Sequence, residues 1–572
     1  MKKLMLGNEA IARGAYEAGA SFVISYPGTP STEITEAATQ YKEIYCQWSV
    51  NEKVSLETVF GASLMGKRAM TCLKHVGLNV ASDALYTCAY TGVNAGVVIA
   101  CADDPGMFSS QNEQDTRQIA RAAHVPVLEP SDAQEAKDMV KTAFELSEEY
   151  DTPVILRITT RLAHQRTNVE LKNREEAKAK EYSKDPQKYV MMPGMAKKRH
   201  IKVEEREDRL AKDANGFEIN RMELRSKKIG IITAGVPYTY VKEVLPEASV
   251  LKLGLTYPLP KEMIKSFASK VEKLYVIEEL EGVIEQEVKA MGIKAIGKEL
   301  TGKQGELSPE KLRNIFGLPQ KQAENKQFAQ RPPILCPGCP HRASFYALKK
   351  RKLTVFGDIG CYTLGTLAPL SSMDASLCMG SSIGMLLGAV LSKGNDFSKN
   401  AVAVIGDSTF LHSGIQPLMS AVYFQTPITV IVLDNRITAM TGHQPNPATG
   451  KDIYGNDAPE LNIENLCESI GARTRVVSPM DVEKFDNVLE EELNFNGVSV
   501  IVAKQPCALL PHQKNKAYTV DGCKNCKKCL KIGCPAIIPQ ENSVMVDNTL
   551  CNGCGLCASI CPFDSFHVEE NQ

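Results

Sequence analysis

Eight of the 18 cysteines in this chain fall between Cys523 and Cys561. They make two runs, Cys523-x2-Cys526-x2-Cys529-x4-Cys534-Pro535 and Cys551-x2-Cys554-x2-Cys557-x3-Cys561-Pro562. Thiolates at this density bind soft metals. Three cysteines each three apart can wrap one cube of iron and sulfide while the fourth ligand arrives from the other run. The alternative is tetrahedral zinc held by four cysteines apiece, although zinc ribbons set a longer gap between two CxxC pairs. Two iron–sulfur clusters side by side would move electrons singly. A second chemistry is written at Gly406-Asp407-Ser408, directly after AVAVI, and at Asp434-Asn435, directly after ITVIVL, with 25 residues between Ser408 and Asp434. Oxygen ligands at the ends of two strands, with tight turns that let the backbone approach, suit a divalent cation that holds a diphosphate. A GD turn after a strand also occurs with no ligand at all. Cys336-Pro337-Gly338-Cys339 is a third candidate, readable as a redox pair or as half of a zinc site.

Such residues need strands to carry them. In the first 165 residues FVISYPG, AMTCLKH, NAGVVIACADD and TPVILRI each read as a buried parallel strand. Between them SDAQEAKDMVKTAFELSEEY reads as an amphipathic helix opening on a Ser/Asp cap. Alternation of this kind predicts an α/β domain whose ligands bind beyond the carboxyl ends of the strands, where YPGTPSTE falls. The pattern resumes in KIGIITAGV, ASVLKLGL and KLYVIEE, and again in AVAVIGD, ITVIVLDN and VSVIVAKQP. The expected division is an α/β domain over 1–167, a charged solvated linker over 168–227 and a compact α/β domain over 228–300. A polar linker over 301–330, a third α/β domain over 331–514 and a cysteine-rich domain over 515–572 follow. Lys+Arg 66 against Asp+Glu 67 leaves a formal charge of −1, so no electrostatic case exists for nucleic acid or a membrane surface. No apolar run approaches the roughly 18 residues of a membrane span. MKKLMLGNEAIARGAYEAG lacks the apolar core of a signal peptide, so a cytoplasmic protein is expected.

Several segments resemble known families. The Cys551–Cys561 run has the bacterial ferredoxin spacing residue for residue, and the first run differs by one inserted residue. We accordingly expect one [4Fe–4S] cluster on Cys523, Cys526, Cys529 and Cys561 and another on Cys551, Cys554, Cys557 and Cys534. Gly406-Asp407-Ser408 with Asn435 resembles the thiamine-diphosphate signature, with Ser408 in place of the usual third glycine. DNRITAMTGHQ is similar to the matching segment of the 2-oxoacid:ferredoxin oxidoreductases. Carried over, Asp407, Asn435 and the carbonyl of Ile437 would hold Mg²⁺. WSVNEKVSLETVFGASLMGKRAMT looks like that family's segment bearing the glutamate that bonds N1′ of the aminopyrimidine, which makes Glu52 that residue and Glu57 the fallback. Tyr26-Pro27-Gly28-Thr29-Pro30-Ser31 resembles the motif whose threonine reaches the substrate, here Thr29. SSQNEQDTRQ puts Arg117 where the family's arginine pairs with the substrate carboxylate, unless it is a helix ion pair. A CPGC-like motif, a cysteine in a glycine turn and a late cysteine hold the family's cluster nearest the thiamine. The matching residues here are Cys336, Cys339, Cys361 and Cys507, with buried structural cysteines as the alternative. The remaining six, Cys46, Cys72, Cys88, Cys101, Cys378 and Cys467, read as core.

WSVNEKV, KHVGLNVASDALYT, CPGCPHRASFYAL, GDIGCYTLG and CMGSSIG are close to the wording of the indolepyruvate branch of this family, and the likeness covers essentially the whole chain. It implies an α/β multidomain thiamine-diphosphate fold: doubly wound parallel-sheet pyrimidine and diphosphate domains, a transketolase-C-like domain and a small α+β ferredoxin-like tail. It also implies oxidative decarboxylation of an arylpyruvate with CoA to arylacetyl-CoA and CO2, ferredoxin taking the electrons, and a separate smaller beta subunit as partner. Pyruvate or another 2-oxoacid is the nearest rival substrate, since nothing in the residues reads aromatic from aliphatic. A non-redox decarboxylase would leave the eight ferredoxin-spaced cysteines without purpose. A pure electron-transfer subunit would leave Asp407, Asn435 and Glu52 without one.

Overall fold

The computed structural model describes residues 1–178, 180–320, 332–510 and 515–568. Part of the expected 301–330 linker therefore lies outside the described residues. The chain divides into two compact units, residues 1–326 and 327–572.

The first unit is built on a seven-stranded sheet in the order Leu255–Tyr257, Val127–Leu128, Val154–Thr159, Val97–Asp103, Ala69–Lys74, Phe22–Ser25, Tyr45–Trp48. All neighbours are parallel except the first pair, which runs antiparallel with Leu255 opposite Leu128 and Tyr257 opposite Val127. Every residue of Val97–Asp103 is buried, as expected of a parallel strand covered on both faces. Helix Ala133–Glu149 begins where the cap predicted: the Asp132 carboxylate accepts from the Glu135 amide at 2.9 Å, and Glu135 accepts from the Ser131 amide at 2.9 Å.

The segment expected as a solvated linker contains the 21-residue helix Pro193–Asp213, which buries Val203, Arg206 and Leu210. Arg206 donates to the carbonyls of Ala89 and Asp151 at 3.0 and 2.9 Å, so the helix is fastened to helix Ser82–Thr91 and to the turn before Val154–Thr159. A four-stranded sheet follows, ordered Lys273–Ile277, Ser226–Ala234, Ala248–Leu253, Arg221–Glu223, with only the last antiparallel. Strand Leu255–Tyr257 leaves this region to join the seven-stranded sheet. The expected 228–300 domain thus lends strand Leu255–Tyr257 to the neighbouring sheet.

In the second unit a five-stranded parallel sheet runs in the order Thr354–Phe356, Ala401–Gly406, Ile428–Asp434, Val498–Lys504, Arg473–Val477. Its alternation feeds two separate cores. Ala401, Ala403, Ile405, Val430 and Val432 pack on one face, and Val402, Val404, Ile431 and Leu433 on the other. The cysteine-rich tail adds two antiparallel pairs, Tyr518–Val520 with Phe566–Val568 and Ile537–Pro539 with Val544–Val546. No described helix is long and apolar enough to cross a membrane.

Candidate functional site

The carboxyl ends of the first unit's strands collect the residues expected to meet the pyrimidine and the substrate. Glu52 opens helix Glu52–Leu64, which Asn51 caps by accepting from the Val54 amide at 2.9 Å. One turn on, the Ser55 hydroxyl donates to the Ile24 carbonyl at 2.6 Å and lies 2.8 Å from Thr71 Oγ1, pinning the helix to two strands. Glu52 is buried, and its carboxylate lies against Gly77, where a Cβ would stand 2.6 Å from Oε1. Glu57, the fallback, is exposed and paired with Lys53 on its own helix. Thr29 is half-buried in the loop after Phe22–Ser25, a loop closed by the Ser31 hydroxyl on the Gly28 carbonyl at 2.9 Å.

Arg117 is enclosed by acids. The side chain is 1% exposed and its nitrogens are committed: Nε and Nη2 to Asp115 at 2.9 and 2.6 Å, and Nη1 to Glu278 at 2.7 Å. Nη2 also donates to the carbonyls of Glu279 and Glu281 at 3.0 and 3.1 Å. Burial works against the guanidinium, but Asp115, Glu129 and Glu278 more than offset it and raise its pKa. Arg117 thus belongs to a buried charge network.

The cation at the rim is Lys74, which sequence reasoning passed over as a strand residue. It ends strand Ala69–Lys74, and its backbone and Cβ pack against Gly28, next to Thr29. Its Nζ donates to the Ser109 carbonyl at 2.5 Å, and no ion pair holds it among the described residues. Burial lowers its pKa to about 8, against the pull of Asp104. Asp104 is itself engaged by the Ser109 amide, the Ser110 hydroxyl and the Thr160 hydroxyl at 2.8, 2.6 and 2.7 Å. Beside Lys74, His75 is buried, with its Nε2 3.2 Å from the Asn112 carbonyl.

In the second unit Asp407 follows strand Ala401–Gly406 and Asn435 follows the neighbouring Ile428–Asp434, with Gly406 paired to Leu433. The Asp407 carboxyl is pushed up to about 7, chiefly by burial and then by the nearby Asp434. The Ser408 amide at 2.8 Å and Asn446 Nδ2 at 3.4 Å offset only part of that. A divalent cation would remove the penalty, and the donors present (carboxylate, amide oxygen, backbone carbonyl) are the hard oxygens it takes. The residues therefore fit a Mg²⁺-held diphosphate. Ser408, in place of the usual glycine, accepts a hydrogen bond from the Thr438 hydroxyl at 3.0 Å. Asn446 was illegible, since a lone asparagine between prolines has no sequence signature.

Cysteines of each expected quartet lie near enough to influence one another's charge. Cys529 has Cys523, Cys526 and Cys561 within electrostatic reach. Cys557 has Cys554, Cys534 and Cys551. Cys361 senses Cys507 and Cys336, and Cys339 senses Cys336 and Cys361. Cys534, Cys551, Cys554 and Cys557 line one small, largely apolar pocket. Among the described residues no three His, Cys, Asp or Glu side chains converge on a point where a single ion could sit. Burial pushes the thiols of Cys339 and Cys557 up to about 12, so thiolates there need the positive charge of a bound metal. The Cys507 amide donates to the Asn435 carbonyl at 3.0 Å, which joins this quartet to the Mg²⁺ loop. Of the six cysteines expected in the core five are buried, whereas Cys378 is exposed.

Three family models match: pyruvate flavodoxin/ferredoxin oxidoreductase, thiamine-diphosphate-binding, over 13–226; the C-terminal TPP-binding domain of thiamine pyrophosphate enzymes over 358–503; and a 4Fe-4S binding domain over 544–566. The last takes in Cys551, Cys554, Cys557 and Cys561 but not the first cysteine run. Fold and site together define a thiamine-diphosphate-binding, iron–sulfur oxidoreductase of 2-oxoacids linked to ferredoxin. Among similar proteins, the indolepyruvate oxidoreductase subunit IorA of Pyrococcus abyssi is 40% identical, the match covering 100% of this chain and 97% of that one. The IorA subunits of Archaeoglobus fulgidus (40%, covering 98% and 96%) and Thermococcus kodakarensis (41%, covering 98% and 96%) are similarly related. The chain belongs to the indolepyruvate oxidoreductase IorA-subunit family.

Proposed function

We propose that this enzyme oxidatively decarboxylates arylpyruvates, indolepyruvate foremost, with CoA to give arylacetyl-CoA, CO2 and reduced ferredoxin, working with a smaller beta subunit. The observation that carries the reading is the run of chemistry within one unit: the Asn435 carbonyl bonds the Cys507 amide at 3.0 Å, next to the Asp407 loop. The names of the full-length relatives support the aryl substrate.

Bound thiamine diphosphate supplies the electron sink that makes loss of CO2 from a 2-oxo carbon feasible. Asp407, the Asn435 side chain and the Ile437 carbonyl would hold Mg²⁺, with Gly406 and Ser408 lining the approach. Glu52 shares a proton at N1′ of the aminopyrimidine. Thr29 reaches the substrate, and Lys74, not Arg117, meets its carboxylate with a charge-assisted hydrogen bond. Cys336, Cys339, Cys361 and Cys507 would hold one [4Fe–4S] cluster and the two tail quartets two more, which would supply one-electron chemistry between the substrate and ferredoxin.

Anaerobic viologen reduction by the protein with its small subunit, Mg²⁺, thiamine diphosphate and CoA tests this with indolepyruvate, phenylpyruvate, pyruvate and 2-oxoglutarate side by side. CoA-dependent reduction is expected to be strongest with the aryl substrates. Turnover confined to pyruvate or 2-oxoglutarate would overturn the substrate assignment, and no turnover at full iron content would overturn the catalytic one.

A further inference from the structure

Arg342 stands in the first turn of helix His341–Arg351, just after the Cys336–Cys339 turn, and is 3% exposed. Its hydrogen bonds go only to backbone carbonyls. Nε donates to Cys336 at 3.0 Å, Nη2 to Leu335, and Nη1 to Ile532 and Gly533 at 3.0 and 2.6 Å. Leu335 and Cys336 flank one quartet, while Ile532 and Gly533 immediately precede Cys534 of the next. No Asp or Glu forms an ion pair with Arg342 among the described residues. Groups near it that could carry negative charge include the sulfurs of Cys534, Cys339, Cys336 and Cys554.

A buried guanidinium with neutral partners only is unfavourable unless an anion stands nearby. The two quartets are also in direct contact. Gly338 has φ +70°, and a Cβ there would lie 2.1 Å from Asn552 Nδ2, which itself donates to the Pro337 carbonyl at 3.4 Å. Asn552 sits between Cys551 and Cys554. The turn of one cluster site is therefore packed on the loop of the next, with Arg342 held across the junction by carbonyls from both sides.

We propose that Arg342 is the shared counter-cation of two adjoining clusters, on Cys336/Cys339/Cys361/Cys507 and on Cys534/Cys551/Cys554/Cys557, and that it raises the reduction potential of both. The inference rests on the three-cluster reading above. Reduction adds negative charge to a cluster, and a fixed cation in a low-dielectric setting stabilises the reduced form more than the oxidised one. Arg342 is a positioning residue that acts through charge. The quartet Cys523/Cys526/Cys529/Cys561 supplies none of the four sulfurs named above and serves as the internal reference.

The test is an EPR-monitored redox titration of the holoenzyme with its small subunit, comparing wild type with Arg342→Gln and Arg342→Lys after iron analysis. About twelve irons per chain, four for each quartet, establish the clusters independently of Arg342. In Arg342→Gln two of the three couples should each lose about tenfold in their reduction equilibrium, which is about 59 mV for one electron, while the third stays put. Arg342→Lys keeps the charge and should restore both to within about threefold. Unchanged potentials in a fully loaded Gln variant, or an equal shift of all three couples, would overturn the proposal. If the Gln variant fails to load iron, the Lys variant decides: a tenfold shift with the charge retained would overturn the proposal, and wild-type potentials support it. Fewer than about twelve irons in the wild type would instead count against the three-cluster reading.

Discussion

Replacing Arg117 by glutamine separates two roles that the residue could play. In the structure the guanidinium neutralises Asp115 and Glu278 at 2.6 and 2.7 Å, both buried. Removing one partner of a buried pair generally costs about 3–5 kcal/mol, because the other charge is left uncompensated. Two features pull the figure to the lower end. Asp115 keeps Arg157 at 3.8 Å, and Glu278 keeps the amides of Ile284 and Glu285 at 3.1 and 2.9 Å. We therefore expect a loss of about 3 kcal/mol. At roughly 2 °C per kcal/mol for a large unit, the first thermal transition should fall by about 6 °C. The assay is differential scanning calorimetry of Arg117→Gln beside wild type, with KM for the 2-oxoacid measured well below the transition. KM should stay within about threefold, since on this account Arg117 touches no substrate. A transition within 1 °C of wild type combined with a KM raised by an order of magnitude would refute the reasoning and return Arg117 to the substrate.

Lys74→Gln should show the complementary pattern, with KM for the 2-oxoacid up by roughly 10–100-fold, the range for a charge-assisted hydrogen bond, and little change in melting. Because burial lowers the pKa of Lys74 to about 8, wild-type KM should climb as pH rises through 8 and the ammonium is lost; a flat KM between pH 7 and 9 would sink the assignment. Gly77→Ala sets a Cβ 2.6 Å from Glu52 Oε1 and must move the carboxylate, so kcat should fall by about 100-fold in a folded enzyme. A kcat above half of wild type would show that Glu52 is not held in place by this contact. Adding Mg²⁺ and thiamine diphosphate at about 100 times Kd should stabilise the wild type by about 2.7 kcal/mol, and Asp407→Asn should abolish that gain; an undiminished thermal shift in the variant would remove Asp407 from the cation site.

The strands were legible because parallel strands buried on both faces are unbroken apolar runs, as Val97–Asp103 and Ile428–Asp434 are. The tail quartets were legible for a different reason: their ligands are close in sequence, so spacing alone limits what they can wrap. Glu52, Cys361 and Cys507 became readable only through the likeness of whole segments to a family, because nothing within a few residues of each specifies a partner. What stayed hidden depends on contacts between distant segments. Arg117 draws its acids from positions 115 and 278, and an arginine after an aspartate at a helix start reads the same whether it faces substrate or core. Lys74 ends an apolar strand, and its depth is set by the loop at Ser109. Arg342 follows a conspicuous CPGCPH, yet its second set of carbonyls lies about 190 residues onward.

The loan of Leu255–Tyr257 to the seven-stranded sheet bears on modularity. A gene break or a recombination point near residue 227 would look permissible from composition, since the flanking stretch is charged and poor in apolar pattern. It would nonetheless strip Val127–Leu128 of its outer neighbour and leave an open sheet edge ready to pair with another chain. Leu255 and Leu128 are both fully buried, so the exposed edge would also be apolar. A split version of this protein would be expected to break elsewhere than near residue 227.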